Sequence, residues 1–459
     1  MNKKTQGHQV PQSVLLFIIF LVPLLVISNM AYLITEKVDT NENERPIMEN
    51  NYSVAGVPLE NMTKEGAIDA IERALINIDS KQITIQIDEQ LWIIPVVELQ
   101  IRYDVETTVE EAFALTSLSS RQHIPLVFQY DRLKLQEYLE EIATQVNIPV
   151  IDATVYKVGN RIEKTAEQIG SVLNIEQLIM EIQNAIAYAF PADYFQVALN
   201  EVMPRVSARE LHDVNRHFAT YTTVIDTTDR NQLHNMMRSV ERIEHFVISP
   251  QAAFSFNELA SPYTANNGYT IAPGVENDSS SEGYGGGVSQ VATTLYVAAL
   301  KAGLDIMEHH NNSRPVPYAP LGYDASVVKK SEDLKLTNSK RRNMYVSLKI
   351  LDNKVEVQVF GNQTDYINYS LETRNKRTIQ PEVEYYLNTA LSPLSEHVVG
   401  AGEVGYTIDL YRVWDSNNQP QQELITSNSY DSVPRIIEIG ERHRNANNIN
   451  GGKGTTSNR

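Results

Sequence analysis

Apolar residues recur along this chain with three spacings, and each spacing predicts a different kind of element. A continuous apolar stretch at 13–34 carries no charge and has about the length that crosses a bilayer. Apolar residues three or four apart, from 67 to 75, predict an amphipathic helix with Asn61 or Thr63 as its N-cap. Strict alternation on both sides of Asp352–Asn353 predicts two strands joined by a two-residue hairpin turn.

Charges that flank the first apolar stretch predict its orientation. Lys3 and Lys4 precede it, whereas the residues just after it carry an acidic excess. The basic side of a single span stays in the cytoplasm, so we expect a cytoplasmic N-terminus and extracytoplasmic domains. A cleaved signal peptide is the competing interpretation, but it needs a shorter apolar core and a small-residue cleavage site. We therefore expect an uncleaved single-pass anchor that holds the protein at the cell membrane.

The pattern changes several times after this span, which predicts several domains in a chain of 459 residues. Helical and alternating stretches are mixed as far as residue 362, and short strands and turns without a long helix follow. The predicted fold class is multi-domain α+β, with an N-terminal transmembrane helix, two α+β domains and a small C-terminal all-β module. The predicted segments are a cytoplasmic tail (1–12), the transmembrane anchor (13–34), a linker (35–51), the first α+β domain (52–205), the second (206–362), the β module (372–440) and a disordered tail (441–459).

Composition and charge exclude several kinds of chemistry. The net charge of −18 argues against a nucleic-acid partner, because such a protein needs a basic stripe. The chain has no cysteine, which excludes disulfides, zinc–thiolate sites and cysteine nucleophiles. His309 and His310 are adjacent, so in an extended segment they point to opposite sides and do not easily bind one metal ion. The motif His-Glu-x-x-His is also missing, and we expect neither a metal nor a cofactor.

A run of glycines, Gly285–Gly287, leads into a predicted helix that ends near Lys301 and Gly303. No lysine follows the glycines, as a Walker-type phosphate loop requires. The second glycine of the serine-hydrolase elbow is missing as well. One interpretation is that Ser289 caps the helix while its apolar face packs. The backbone N–H groups at the helix start could instead bind an anion, such as a carboxylate or phosphate of a wall polymer.

A catalytic interpretation stays open beside these two. Ser289 as a nucleophile, His310 as its base and Asp324 to orient the base have the residue types of a catalytic triad. Whether the three side chains meet cannot be read from their spacing.

The sequence around the glycines resembles the VanW family, which is named after vancomycin-resistance gene clusters. The resemblance covers about 215–362 and rests on ISPQAAFSFNEL at 248–259 and on the glycine run, helix, Pro-Tyr loop and Asp-Ala turn of 268–327. The stretches VAGVPLENMTKEGA and EQIGSVLNIEQL resemble a peptidoglycan-binding domain. The stretch VGAGEVGYTIDLYRVW resembles the G-five domain, an extracellular module linked to wall binding. This order of modules is typical of Gram-positive surface proteins.

Two positions depart from the pattern of the VanW family. Ser289 stands where members usually have cysteine, and Asn312 stands where they usually have histidine. A serine nucleophile needs a stronger base than cysteine does, and the base position is now an amide. The resemblance therefore implies binding rather than catalysis. The predicted binding residues are Gly285, Gly286, Gly287, Ser289, Gln290, Asn312, Ser313, Tyr318 and Asp324, with Tyr284 and Tyr323 as further rings that could stack on sugars.

The hypothesis that follows is a membrane-anchored extracytoplasmic cell-envelope protein. It binds peptidoglycan or a related wall polymer without modifying it, and the groove for this polymer lies in the 206–362 domain. One alternative is a wall-modifying hydrolase or acyltransferase that uses Ser289. The other is a structural spacer that presents the C-terminal β module to a partner.

Overall fold

The computed structural model describes residue 48 and residues 51–115, 122–273, 282–327 and 332–441. The predicted cytoplasmic tail and transmembrane anchor, and nearly all of the linker and the C-terminal tail, lie outside these residues. Within the described part, no helix is long and apolar enough to cross a membrane. The helices are α1 (Lys64–Leu75), α2 (Val105–Ala114), α3 (Arg132–Val146), α4 (Ile175–Ala187), α5 (Arg230–Ile243), α6 (Phe256–Ala260) and α7 (Val288–Ala302), with short 3-10 turns at Ile78–Ser80, Val96–Leu99, Ala265–Asn267 and Gln363–Asp365.

Strands are numerous and mostly short, as expected for an α+β protein that is rich in β-sheet. The strands of the first half are β1 (Tyr52–Val54), β2 (Val57–Pro58), β3 (Gln82–Ile87), β4 (Gln90–Pro95), β5 (Arg102–Asp104), β6 (Gln122–Ile124), β7 (Val127–Gln129), β8 (Thr154–Val158), β9 (Arg161–Thr165), β10 (Gly170–Val172), β11 (Tyr194–Gln196) and β12 (Asn200–Val202). Those of the second half are β13 (Arg216–Val224), β14 (His245–Ile248), β15 (Ala253–Ser255), β16 (Ile271–Pro273), β17 (Glu282–Tyr284), β18 (Asp305–Glu308), β19 (Lys335–Thr337), β20 (Met344–Leu351), β21 (Lys354–Gly361), β22 (Ser370–Ile379), β23 (Val383–Leu387), β24 (Glu396–Gly400), β25 (Gly405–Ser416), β26 (Gln419–Tyr430) and β27 (Arg435–Ile439).

The chain forms two compact units. Among the described residues, the first takes those up to Val146 together with Leu173–Leu199, and the second takes Asn147–Val172 and those from Asn200 onward. The hairpin β8–β9, which the sequence analysis placed in the 52–205 domain, thus groups with the second unit. The physical reason is burial: Val155 of this hairpin lies in one hydrophobic cluster with residues of β20 and β21.

The first unit contains two hydrophobic cores. One lies between α1, α2 and the sheet of order β2-β1-β6, and the other between α3, α4 and the sheet of order β11-β3-β4. Helix α1 begins where its pattern predicts, because the Thr63 hydroxyl accepts a hydrogen bond from the Gly66 N–H at 3.2 Å. Thr63, and not Asn61, is therefore the N-cap.

An antiparallel sheet of order β13-β21-β20-β14 forms the centre of the second unit. Its strands β20 and β21 are the predicted hairpin, and Leu351 pairs with Lys354 across the turn. Asp352 and Asn353 both have positive φ, 47° and 60°. Two successive residues in this region suit the right-handed twist of a hairpin, so the predicted turn is confirmed.

Helix α7 lies against this sheet and is buried on all sides. Every residue of the helix except Lys301 is buried, including Thr293 and Thr294. The sequence analysis expected one apolar face, and that expectation was too narrow, because a helix at the centre of a domain is covered all round. The helix ends at Gly303, whose φ is 78°, as its sequence predicts.

The C-terminal module is all-β in its described residues, with sheets of order β22-β25-β26 and β23-β27-β24. Its first sheet is not separate from the 206–362 region. Leu410 of β25 belongs to the same buried cluster as the residues of α7. The side chain of Arg412, also on β25, donates to the Leu304 carbonyl at 2.7 Å. The β module and the preceding domain therefore share a core.

Truncation of Leu295 tests the role of α7 in the second unit. Leu295 is fully buried, and Leu295→Ala is expected to lower the free energy of unfolding by about 3–5 kcal/mol, because a cavity is left. Urea unfolding is followed by the fluorescence of Trp414 in a Trp92→Phe background, so that the signal comes from the second unit alone. Leu351→Ala is the control, since half of that side chain is exposed. Equal effects of the two substitutions would contradict a central position for α7.

Candidate functional site

A buried carboxylate organises the region that the sequence analysis selected. Asp324 is 1% exposed. Its Oδ2 accepts hydrogen bonds from the backbone N and from Nδ2 of Asn312, both at 2.8 Å, and its Oδ1 accepts one from the Tyr430 hydroxyl. Burial of a carboxylate is costly unless its oxygens are hydrogen-bonded, and here both are. We use "Asp324 cluster" for Asp324, Asn312 and Tyr430 together with His309 and Tyr296.

Tyr430 joins two parts of the second unit. It lies at the end of β26 and is fully buried. Its hydroxyl accepts a hydrogen bond from the Gly322 N–H at 2.7 Å and donates to Asp324. Burial and the nearby charge of Asp324 raise the pKa of Tyr430 above its ordinary value, so the hydroxyl keeps its proton. The β module therefore supplies one of the donors that hold Asp324.

The two adjacent histidines have different partners. The Nε2–H of His309 donates to the backbone carbonyl of Asp324 at 2.8 Å, and its ring stacks on Tyr296 with centroids 4.2 Å apart. Burial lowers the pKa of His309 below its ordinary value and favours the neutral ring. His310 instead pairs with the Glu308 carboxylate at 3.1 Å. The two rings thus have separate partners, and their opposite orientation stays a prediction.

Ser289 is not a helix cap. The N-cap residue of α7 is Gly287, which has φ of 97° and makes no side-chain cap. Ser289 is 5% exposed, and its Oγ accepts a long hydrogen bond, 3.4 Å, from the Val327 N–H. The predicted capping role of Ser289 was therefore wrong, because the N-cap lies two residues earlier in the chain.

The three candidate catalytic residues do not form a relay. Within the described residues, no hydrogen bond joins Ser289 to His310 or His310 to the Asp324 carboxylate; His310 is paired with Glu308, and Asp324 with Asn312 and Tyr430. The side chain of His310 therefore has a different carboxylate partner from the one that a Ser289–His310–Asp324 triad requires.

Thr293 is a residue of this region that the sequence analysis missed. Its hydroxyl accepts from the Ala325 N–H at 2.9 Å and donates to the Ala325 carbonyl at 3.2 Å. It lies one helical turn after Ser289, which contacts the same extended segment at Val327. Residues four positions apart in a helix lie on one face. This spacing of Ser289 and Thr293 was the available signal.

The glycine run and Gln290 are used for packing. The Gln290 amide donates to Thr223 Oγ1 at 3.1 Å and to the Val224 carbonyl at 2.8 Å, which ties α7 to β13. Gly285 and Gly286 are buried. A Cβ on Gly286 would lie 2.4 Å from the Pro273 carbonyl oxygen, so only glycine fits there.

Most of the other predicted binding residues make their contacts inside the second unit. The Ser313 carbonyl accepts from the Asp431 N–H at 2.7 Å, and the Tyr323 hydroxyl donates to the Leu371 carbonyl at 3.0 Å. The Tyr318 hydroxyl is buried, and this burial raises its pKa. Tyr284 is 40% exposed. Of the three predicted sugar-stacking rings, Tyr284 is the one that is open to a ligand, and the binding role of all these residues stays a prediction.

Family models match two parts of the chain. Residues 231–360 match the model described as "VanW like protein". The chain carries a VanW-like domain. Residues 92–191 match a second model, described as "Putative peptidoglycan binding domain". The VanW match contains α5, α7 and the hairpin of β20 and β21, together with Asn312 and Asp324.

One similar protein is YoaR of Bacillus subtilis (strain 168), which is described as uncharacterized. It is 30% identical over 197 residues, or 43% of this chain, and the chain spans 64% of its length. Solved structures that are similar to the chain include the G5 domain of an IgA1 protease, with 23% identity, 17% of this chain and 90% of that one covered, and a TM-score of 0.15. Another is HP0197-G5, with 13% identity, 16% and 99% covered, and a TM-score of 0.12.

Removal of the Tyr430 hydroxyl tests the link between the VanW-like domain and the β module. Tyr430→Phe removes the donor to Asp324 Oδ1 and the acceptor of the Gly322 N–H, and is expected to lower the free energy of unfolding by about 2–4 kcal/mol. The measurement is urea unfolding followed by Trp414 fluorescence. Tyr386→Phe is the matched control, because that hydroxyl also bonds a carboxylate, Glu384 at 2.7 Å, but at the surface. A loss no larger than in this control would contradict the assignment.

The environment of His309 predicts a pH dependence. The pKa of His309 is lowered in the folded protein, so unfolding at a pH between the lowered and the ordinary pKa takes up a proton. The stabilising contribution of His309 is therefore fully present above the ordinary pKa of histidine. It is lost as the pH falls from this ordinary value toward the lowered pKa of the folded protein. The difference in thermal midpoint between the native chain and His309→Gln is expected to shrink from about pH 7.5 to about pH 5. Circular dichroism measures it, and His310→Gln is the neighbouring control. A difference that is constant with pH would refute this account.

Proposed function

We propose that this chain is a cell-envelope protein that binds peptidoglycan or a related wall polymer and does not modify it. The match of residues 92–191 to a peptidoglycan-binding model carries the proposal, and the VanW-like domain that follows supports it. In this proposal the apolar stretch at 13–34 anchors the chain in the cell membrane, with the domains on the outer side.

The contacts of the VanW-like domain support binding rather than turnover. Ser289 is buried, its oxygen has no general base as a partner in the described residues, and the histidine position of the family holds Asn312. An amide does not accept a proton from a hydroxyl near neutral pH, so Asn312 cannot act as the base that a serine nucleophile needs. Asn312 instead fixes the carboxylate of Asp324 through two neutral N–H donors.

The exposed surface near the glycine run supplies a place for a polymer. Tyr284 is 40% exposed and Ile271, its partner in the pair β16–β17, is 46% exposed. An aromatic ring with an apolar neighbour offers a flat surface of the kind on which sugar rings pack. Gly286, next to this surface, is unsuitable for a test, because a side chain there would collide with the backbone of Pro273.

Pelleting with insoluble peptidoglycan, purified and stripped of teichoic acids, tests the proposal. The full chain in detergent is expected to co-sediment, and Tyr284→Ala is expected to reduce the pelleted fraction severalfold through loss of the ring surface. Tyr386→Ala is the control, since that tyrosine is about as exposed but lies in the β module. Point substitutions are preferable to deletion of 206–362, because deletion would expose Leu410 and leave Tyr430 without Asp324.

Two outcomes of this experiment would contradict the proposal. Failure of the full chain to pellet would reject direct binding to peptidoglycan. Release of soluble muropeptides that is lost in Ser289→Ala would show that the chain is a wall-modifying enzyme. Mass spectrometry of the supernatant measures this release.

A further inference from the structure

A cleft outside the Asp324 cluster opens on the surface of the second unit. Its volume is about 510 Å³, and it is lined by residues of 208–213, by Pro250 and by Arg341, Arg342 and Asn343. This volume is within the range of small-ligand sites, about 300–1,000 Å³. The segment 208–213 lies before residues 231–360, which match the VanW model, so part of the cleft wall lies outside the matched region.

Two arginines that line the cleft have side chains without a partner among the residues that the structure describes. The side chains of Arg209 and Arg341 are exposed and make no hydrogen bond or ion pair with any residue in the described part of the chain. The chain as a whole carries a net charge of −18. The two arginines are therefore opposite in sign to the net charge of the chain, and a concave wall focuses their field.

Both acidic residues that line the cleft already have hydrogen-bond partners. The Asp213 carboxylate is held by His212 at 3.0 Å and by Arg342 at 2.6 Å. The hydrogen bond to His212 is the largest cause of the lowered pKa of Asp213. The Glu210 carboxylate accepts from the N–H and hydroxyl of Ser207, at 2.9 and 2.7 Å. Arg342 balances the charge of Asp213, whereas Glu210 is bonded to neutral donors and keeps its charge, so the three arginines of the lining outnumber its two carboxylates by one.

We propose that this cleft binds an oxyanion, a carboxylate or a phosphate group, through the guanidinium groups of Arg209 and Arg341. A guanidinium presents two parallel N–H donors, which match the two oxygens of such a group. Arg342 adds positive charge beside them while Asp213 fixes its position. The site goes beyond the proposed binding of peptidoglycan, because an anion here can belong to any small or polymeric ligand that reaches the cleft.

Isothermal titration calorimetry of the full chain in detergent tests the site with three probes. Inorganic phosphate and glycerol 3-phosphate carry the phosphate group, and N-acetyl-D-alanine carries the carboxylate. At least one probe is expected to bind saturably, and the double variant Arg209→Gln/Arg341→Gln is expected to bind it about tenfold more weakly or worse, because charge-assisted hydrogen bonds are lost. The probe that binds identifies which of the two groups the cleft prefers.

The control has the same change of charge elsewhere. Arg73→Gln/Arg102→Gln removes two exposed arginines of the first unit and is expected to leave the affinity unchanged. Circular dichroism verifies that both double variants are folded. The proposal is overturned if no probe binds saturably at low salt, or if the Arg209/Arg341 variant binds as tightly as the native chain. Neither result bears on pelleting with peptidoglycan, which is measured separately.

Discussion

The carboxylate of Asp324 must be hydrogen-bonded on both oxygens because it is almost completely buried, and this requirement determines much of the second unit. The three donors come from two places, Asn312 in the preceding loop and Tyr430 at the end of β26. The loop is held near the helix α7 by Thr293, which bonds both backbone groups of Ala325. One buried charge therefore connects the central helix, the loop after it and the β module.

Local pattern was enough to predict the elements whose cause is local. The hairpin around Asp352–Asn353, the start of α1 at one of its two candidate caps, Thr63, and the end of α7 at Gly303 each depend on a few neighbouring residues. The hydrogen bond between Tyr430 and Asp324 joins residues 106 positions apart. The spacing of apolar residues carries no information about a hydrogen bond between such distant residues. The sequence analysis therefore predicted a separate β module, whereas the structure has a core shared by this module and the preceding domain.

For the candidate site, residue type was a better guide to position than to role. Asn312 and Asp324 contact each other, but the binding role predicted for them and for Gln290 stays a prediction, because a carboxylate or amide can bind a ligand or tie the backbone. Burial distinguishes the two cases, and burial depends on contacts that come from distant strands. Gln290 illustrates this, because its amide is used for the bonds to Thr223 and Val224 on β13. Thr293 was missed because a threonine inside a largely apolar helix does not by itself indicate a contact with a segment about thirty residues away.

The departure of this chain from the VanW pattern is chemically consistent with the structure. A histidine at 312 would bring a titrating ring beside Asp324, whereas the amide of Asn312 supplies a donor that does not change with pH. The nearest imidazole, His309, is favoured in its neutral form by burial and is stacked on Tyr296. Tyr430 also keeps its proton. His309 and Tyr430 thus each favour one protonation state near neutral pH, which is consistent with the proposal that this domain binds a ligand without proton transfer.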